Sequence, residues 1–109
     1  MQAKTLDQFT ARAAILKALA HPSRLYMVDQ LNAGPKCVAE LQQLVGADIS
    51  TVSKHLSVLH NSGIVTREKC GNQVFYSLRM ACVMGFFNCV ESVLSGQARH
   101  TASLVEDLH

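Results

Sequence analysis

Apolar residues recur every three or four positions along most of the chain, a spacing that predicts helices divided by turn residues. Pro22 favours a helix start, because proline fixes the backbone of a first helical turn. Gly46 favours a helix end, because glycine accepts the left-handed conformation that closes many helices. The first three helices and the last one are predicted at about residues 6–19, 22–31, 37–45 and 79–94.

The stretch ADISTVSKHLSVLHNSG predicts a fourth helix with two unlike faces. Its apolar stripe consists of Val52, Leu56 and Leu59. Either Ser50 or Asp48 can cap the helix start by accepting a hydrogen bond from a free backbone amide. The other face has hydroxyl groups, one lysine and one histidine, and no acid follows Asp48.

Two runs rich in β-branched and aromatic residues follow, at 64–67 and 74–78, with a turn at 70–72 between them. They predict a β-hairpin. Two short helices joined by a tight turn and followed by a hairpin form a winged helix-turn-helix, whose second helix enters the DNA major groove. The expected fold is therefore mainly α with a β-hairpin wing, as one domain at 1–95 followed by a tail at 96–109.

The start of the fourth helix and the hairpin carry the expected DNA contacts. Small hydroxyls allow close approach to DNA, and basic groups attract phosphate. Residues 49–80 contain four bases against one acid, whereas the rest of the chain has six bases against seven acids. The predicted DNA-binding residues are Ser50, Thr51, Ser53, Lys54, His55, Arg67 and Lys69.

Composition narrows the class of protein. A length of 109 residues with 49% hydrophobic content suits one compact domain. No apolar run approaches ~18 residues, and the first residues lack a signal-type apolar segment, so a cytoplasmic protein without a membrane span is expected. An enzyme is not expected, because the chain has no nucleophile with a base, no phosphate-binding glycine loop and no carboxylate pair at useful spacing.

Three sequence blocks occur in a specific order. They are LKALAHPSRLYMVDQL at 16–31, ISTVSKHLSVLHNSGIV at 49–65, and the wing residues Gly71, Tyr76 and Leu78. Together they closely resemble the ArsR/SmtB family of bacterial winged-helix metalloregulators. The resemblance implies a repressor that forms a homodimer through its first and last helices, binds a roughly palindromic operator, and releases it when an inducer binds.

Cysteines are the candidate inducer ligands. Arsenic-sensing members of the family often have a C-V-C-D-L block at the start of the third helix, whereas this chain has CVAEL from Cys37, so one thiol is missing. Cys82 and Cys89, seven residues apart, are expected on one face of the last helix. Seven residues rise about 10.5 Å, beyond the ~7 Å between α-carbons that a disulfide allows. Crossed last helices in a dimer would instead bring Cys82 of one chain to Cys89 of the other.

Thiolates without histidine or carboxylate favour thiophilic ions. The expected inducer is As(III) or Sb(III), with Hg(II) or Cd(II) as alternatives. Arsenite usually takes three thiolates, so the predicted ligands are Cys82, Cys89 and Cys37, with Cys70 as another source of a third thiol. Two other interpretations stay open: Cys82 and Cys89 as small core residues, and a thiol redox or persulfide sensor on the same fold.

Overall fold

The computed structural model describes residues 1–107, and it describes side chains as far as residue 96. The described residues form five helices and a small sheet of three strands. The helices are α1 (Ala3–Leu19), α2 (Pro22–Leu31), α3 (Val38–Val45), α4 (Ile49–Asn61) and α5 (Val83–Asp107). The strands are β1 (Lys36–Cys37), β2 (Val65–Cys70) and β3 (Gln73–Leu78). The architecture is the expected one, mainly α with a β-hairpin wing.

Helices α2, α3 and α4 pack around one apolar core, closed on one side by the sheet. The fully buried side chains of this core are Met27, Val28, Leu41, Val52, Leu56, Leu59, Ile64, Val65 and Val83. The apolar stripe predicted for α4 is therefore confirmed. Because α4 buries that stripe, its opposite side faces solvent, which determines the side chains that the helix can present to a ligand.

The β-hairpin is confirmed in position and pairing. Strand β2 pairs antiparallel with β3, from Val65 opposite Leu78 to Cys70 opposite Gln73. Gly71 supports the tight turn with φ +64°, a conformation that other residues rarely adopt. Strand β1, on the other edge of β3, was not predicted, because two residues are too few to show a strand period.

The last helix differs from the prediction at both ends. It begins at Val83 rather than near Arg79, because the backbone amides of Arg79 and Met80 both donate to the Ile64 carbonyl, at 2.9 and 3.2 Å. It continues to Asp107, so no change of secondary structure marks the domain boundary expected at residue 95. The last two residues of the predicted tail lie outside the described residues. Within residues 1–107, no helix has both the length and the apolar character to cross a membrane.

Candidate nucleic-acid interface

Asp48 caps α4 and fixes the backbone at the helix start. Its Oδ1 accepts hydrogen bonds from the Thr51 amide at 2.7 Å and from the Ser50 hydroxyl at 2.9 Å. These bonds, first that from the Thr51 amide, and the charge of Lys54 lower the pKa of the Asp48 carboxyl. Of the two caps that the sequence allowed, Asp48 is the one used.

The exposed side of α4 holds most of the side chains predicted to contact DNA. Ser50, Ser53 and Lys54 are exposed, and Thr51 is half-buried beside the cap. Hydroxyl and ammonium groups are thus presented in the first turns of a helix, where free backbone amides also favour anions. The arrangement suits contact with phosphates and base edges.

His55 differs from its neighbours on α4 because its side chain contacts other side chains of the same chain. It is half-buried, with its Nδ1 3.3 Å from Arg24 Nη1 and its ring centroid 4.4 Å from that of His21. Burial, followed by the charges of His21 and Arg24, lowers the pKa of His55. His55 was predicted from the sequence only as a DNA contact, and its contacts with Arg24 and His21 were not predicted. Hydrophobic periodicity does not reveal a contact between residues on separate helices.

The wing presents two basic side chains. Arg67 and Lys69 are exposed on β2, where alternate residues share a face, while Glu68 points to the opposite face. Their partners on β3 are Tyr76 and Val74. Cys70, at the end of the same strand, is exposed, as the sequence predicted.

Two of the three predicted thiol ligands, Cys82 and Cys89, lie near the start of α5. Cys82 immediately precedes the helix, which corrects its predicted place within it, and Cys89 lies two turns further on. Both are exposed in the single chain, so the core interpretation does not describe them. Cys37 is buried at the end of β1, opposite Phe75 of β3, and immediately precedes α3, where its amide donates to Glu40 Oε1 at 3.2 Å.

The three thiols do not meet within one chain. Among the residues that the structure describes, no group of three histidine, cysteine or acidic side chains is placed to hold a metal ion.

An apolar groove of about 590 Å³ lies between α1, α2 and α5. Its apolar lining includes Leu16, Leu25, Tyr26, Phe86, Phe87 and Val90. On α1, Phe9 is 52% exposed in the single chain. On α5, Val93 is 59% exposed. Among residues 1–96, whose side chains are described, α1 and α5 thus leave an apolar surface exposed.

Comparison with known sequences supports the architecture. Residues 21–67 match the family described as bacterial regulatory protein, arsR family. The chain is 44% identical over 66 residues to the transcriptional regulator NmtR of Mycobacterium tuberculosis, covering 61% of this chain and 55% of that protein. It is 37% identical over 87 residues to the biofilm growth-associated repressor of Xylella fastidiosa, covering 80% of this chain and 76% of that repressor. The chain thus spans about half the length of NmtR and three quarters of the second relative.

A solved structure shows the same arrangement of helices and wing. It is the homodimeric winged helix-turn-helix DNA-binding domain of a Mycobacterium bovis protein, with a TM-score of 0.77 and 25% identity over 92% of this chain and 93% of that one. The named relatives are regulators and repressors of transcription, which agrees with the prediction that the chain is not an enzyme. The chain belongs to the arsR family of bacterial regulatory proteins.

Proposed function

We propose that this protein is a cytoplasmic transcriptional repressor that binds operator DNA as a homodimer and is released by a thiophilic inducer. The observation that carries the proposal is the exposed face at the start of α4, where Ser50, Ser53 and Lys54 stand clear of the core. In a winged helix-turn-helix this is the part of the domain that enters the major groove.

The expected DNA-binding surface combines α4 with the wing. Lys54 supplies charge to the phosphates, and the hydroxyls of Ser50, Thr51 and Ser53 allow close approach to base edges. Arg67 and Lys69 share one face of β2, from which they can reach the backbone beside the groove. His55 completes the predicted set, although its Nδ1 side is occupied by Arg24.

A second copy of the chain is the proposed occupant of the apolar surface on α1 and α5. Phe9 and Val93 are more than half exposed in the single chain, and burial of such side chains is the usual driving force for association. The similar domain from Mycobacterium bovis is homodimeric. A two-fold dimer would place two α4 helices on half-sites about 34–36 Å apart, one turn of DNA.

The proposed inducer site lies where the two α5 helices meet. Cys82 and Cys89 are spaced along the start of α5 with exposed Phe86 and Val93. A partner chain that covers these apolar side chains would therefore also reach the two thiols. An antiparallel crossing would pair Cys82 of each chain with Cys89 of the other. Such dithiolate sites suit As(III), Sb(III), Hg(II) or Cd(II). A third thiolate for arsenite would come from Cys37, which would have to leave its buried position, or from exposed Cys70. Two thiolates suffice for a methylated arsenical or mercury.

The test is an anaerobic titration of the reduced protein bound to its own promoter region. Arsenite, antimonite, mercury or cadmium is expected to release wild-type protein and Cys70→Ser, which lacks a different exposed thiol. The variants Cys82→Ser and Cys89→Ser should bind DNA equally well but resist release. Continued release of both variants would refute the assignment.

A mixed dimer distinguishes a shared site from one within a chain. Pairing a Cys82→Ser chain with a Cys89→Ser chain leaves one intact Cys82–Cys89 pair if the site is shared between chains. It leaves none if each chain holds its own. A shared site therefore predicts that the mixed dimer regains tight metal binding at half the wild-type stoichiometry, while either homodimeric variant has none.

The exposure of both thiols also favours a second candidate, a thiol redox or persulfide sensor. Oxidant or polysulfide would then link Cys82 of one chain to Cys89 of its partner and release DNA. Release by oxidant or polysulfide, with no response to any of the metal ions, would establish this second function instead of the first.

A further inference from the structure

Arg24 connects three helices through one side chain. From the first turn of α2, its Nε donates to the Ala18 carbonyl and its Nη2 to the Lys17 carbonyl, at the C-terminal end of α1. Its Nη1 lies 3.3 Å from His55 Nδ1 on α4. The guanidinium therefore joins the end of α1, which borders the apolar groove, to the helix proposed to read DNA.

The His55 ring lies between two basic groups. Arg24 faces its Nδ1, and the His21 ring faces it from the turn before α2. His21 is itself held in place, because its Nδ1 accepts a hydrogen bond from the Ser23 amide at 3.1 Å as the cap of α2. These are the two charged or titratable groups that act on His55, one from the α1–α2 turn and one from α2.

The contact between Arg24 and His55 requires a neutral imidazole. A guanidinium has only donors and remains charged at all ordinary pH values, so His55 Nδ1 must be the acceptor and the ring proton must be on Nε2. A proton added to Nδ1 would replace the acceptor by a donor and place a second cation against Arg24. Protonation of His55 would therefore break the connection between α2 and α4.

We propose that Arg24 is a positioning residue for α4, acting through neutral His55, so that DNA affinity weakens when His55 is protonated. The proposal rests on the proposed function, in that it assumes DNA binding by α4. It assigns to Arg24 a role that is separate from direct DNA contact. The proposal predicts weaker DNA binding at low pH. A direct contact between His55 and a phosphate would have the opposite effect, because a charged histidine would strengthen binding at low pH.

The lowered pKa of His55 gives the direction of the pH effect. A histidine whose folded pKa lies below its unfolded value contributes its full stability at higher pH and loses it as the pH falls through the unfolded and then the folded pKa. The clamp formed by Arg24 and His55 is thus complete above the ordinary pKa of histidine, about 6.5, and breaks as the pH falls through the lowered pKa of His55.

The experiment compares affinity for the promoter region at about pH 7.5 and pH 5.5 in wild-type protein and three variants. His55→Asn keeps an acceptor near the Nδ1 position but does not titrate. Arg24→Gln removes the clamp, and Lys17→Gln removes a nearby exposed charge without removing the clamp. Wild type and Lys17→Gln should weaken at the lower pH relative to His55→Asn, by at most about tenfold, since pH 5.5 lies one unit below the ordinary pKa of histidine and the pKa of His55 is lowered from that value. Arg24→Gln should bind weakly at both values and show no such difference.

Two results would overturn the proposal. One is stronger binding at low pH that His55→Asn abolishes, which would make His55 a charged DNA contact. The other is an identical pH profile in wild type and His55→Asn.

A urea unfolding series tests the clamp without DNA, so failure of wild-type protein to bind the promoter would refute only the proposed function. His55→Phe keeps a ring but removes the acceptor. At about pH 7.5, Arg24→Gln should lower the unfolding midpoint more in the wild-type background than in the His55→Phe background. At about pH 5.5 this difference should shrink. Equal effects of Arg24→Gln in both backgrounds at both values would show that the contact does not couple the helices.

Discussion

Lys54 gives a quantitative test of the DNA-binding surface. Each protomer presents three exposed bases there, Lys54, Arg67 and Lys69, so a dimer presents six. Each neutralised phosphate adds about −0.9 to the slope of log affinity against log salt concentration. Six contacts predict a slope of about −5.4, and Lys54→Gln, which removes two, predicts about −3.6.

The assay is fluorescence anisotropy on a labelled duplex from the promoter region, repeated over a series of salt concentrations. Lys4→Gln is the matched control, because it removes one exposed lysine per chain from α1, outside α4 and the wing. The control should keep the wild-type slope. A slope unchanged by Lys54→Gln, or lowered equally by Lys4→Gln, would refute the placement of Lys54 at the phosphates.

Three further changes test the core, the cap and the dimer surface. Leu56 is a fully buried residue of α4, so Leu56→Ala leaves a cavity in the core. This variant should have a free energy of unfolding about 2–5 kcal/mol lower than wild type in urea titration. Asp48→Ala should lower the thermal midpoint near pH 7 but much less near pH 3, because the depressed pKa of Asp48 means that its stabilisation is lost as the pH falls. Val93→Glu, at an exposed apolar position on α5, should yield a folded monomer in analytical ultracentrifugation. An unchanged dimer would place the interface elsewhere.

The sequence predicted α4 and the hairpin well because local pattern and tertiary packing agree there. The stripe of Val52, Leu56 and Leu59 has helical spacing, and every member is fully buried. The hairpin runs are rich in β-branched and aromatic residues, and Gly71 supplies the positive φ that the turn requires.

Features that depend on contacts between distant residues were not predictable in the same way. Helix α5 begins later than predicted because the backbone amides of Arg79 and Met80 donate to the Ile64 carbonyl. The spacing of apolar residues does not reveal these two hydrogen bonds. Likewise, the environment of His55 depends on Arg24, 31 residues earlier in the chain. The sequence showed both residues but gave no reason to place them together.

The positions of Cys82 and Cys89 were predicted only in part. Their spacing predicted one shared face of the last helix for Cys82 and Cys89, but the helix begins at Val83, so Cys82 lies one residue before it.

The measurement that most directly tests the central claim is the ratio of affinities of the reduced protein for its own promoter region and for an unrelated duplex of equal length. Recognition by paired α4 helices predicts a ratio of about 10³ or more at physiological salt. Ser53→Glu, which places an acid on the exposed face of α4, should abolish binding to both duplexes, whereas Ser53→Ala should retain it. A ratio near one, or binding that survives Ser53→Glu, would contradict the account.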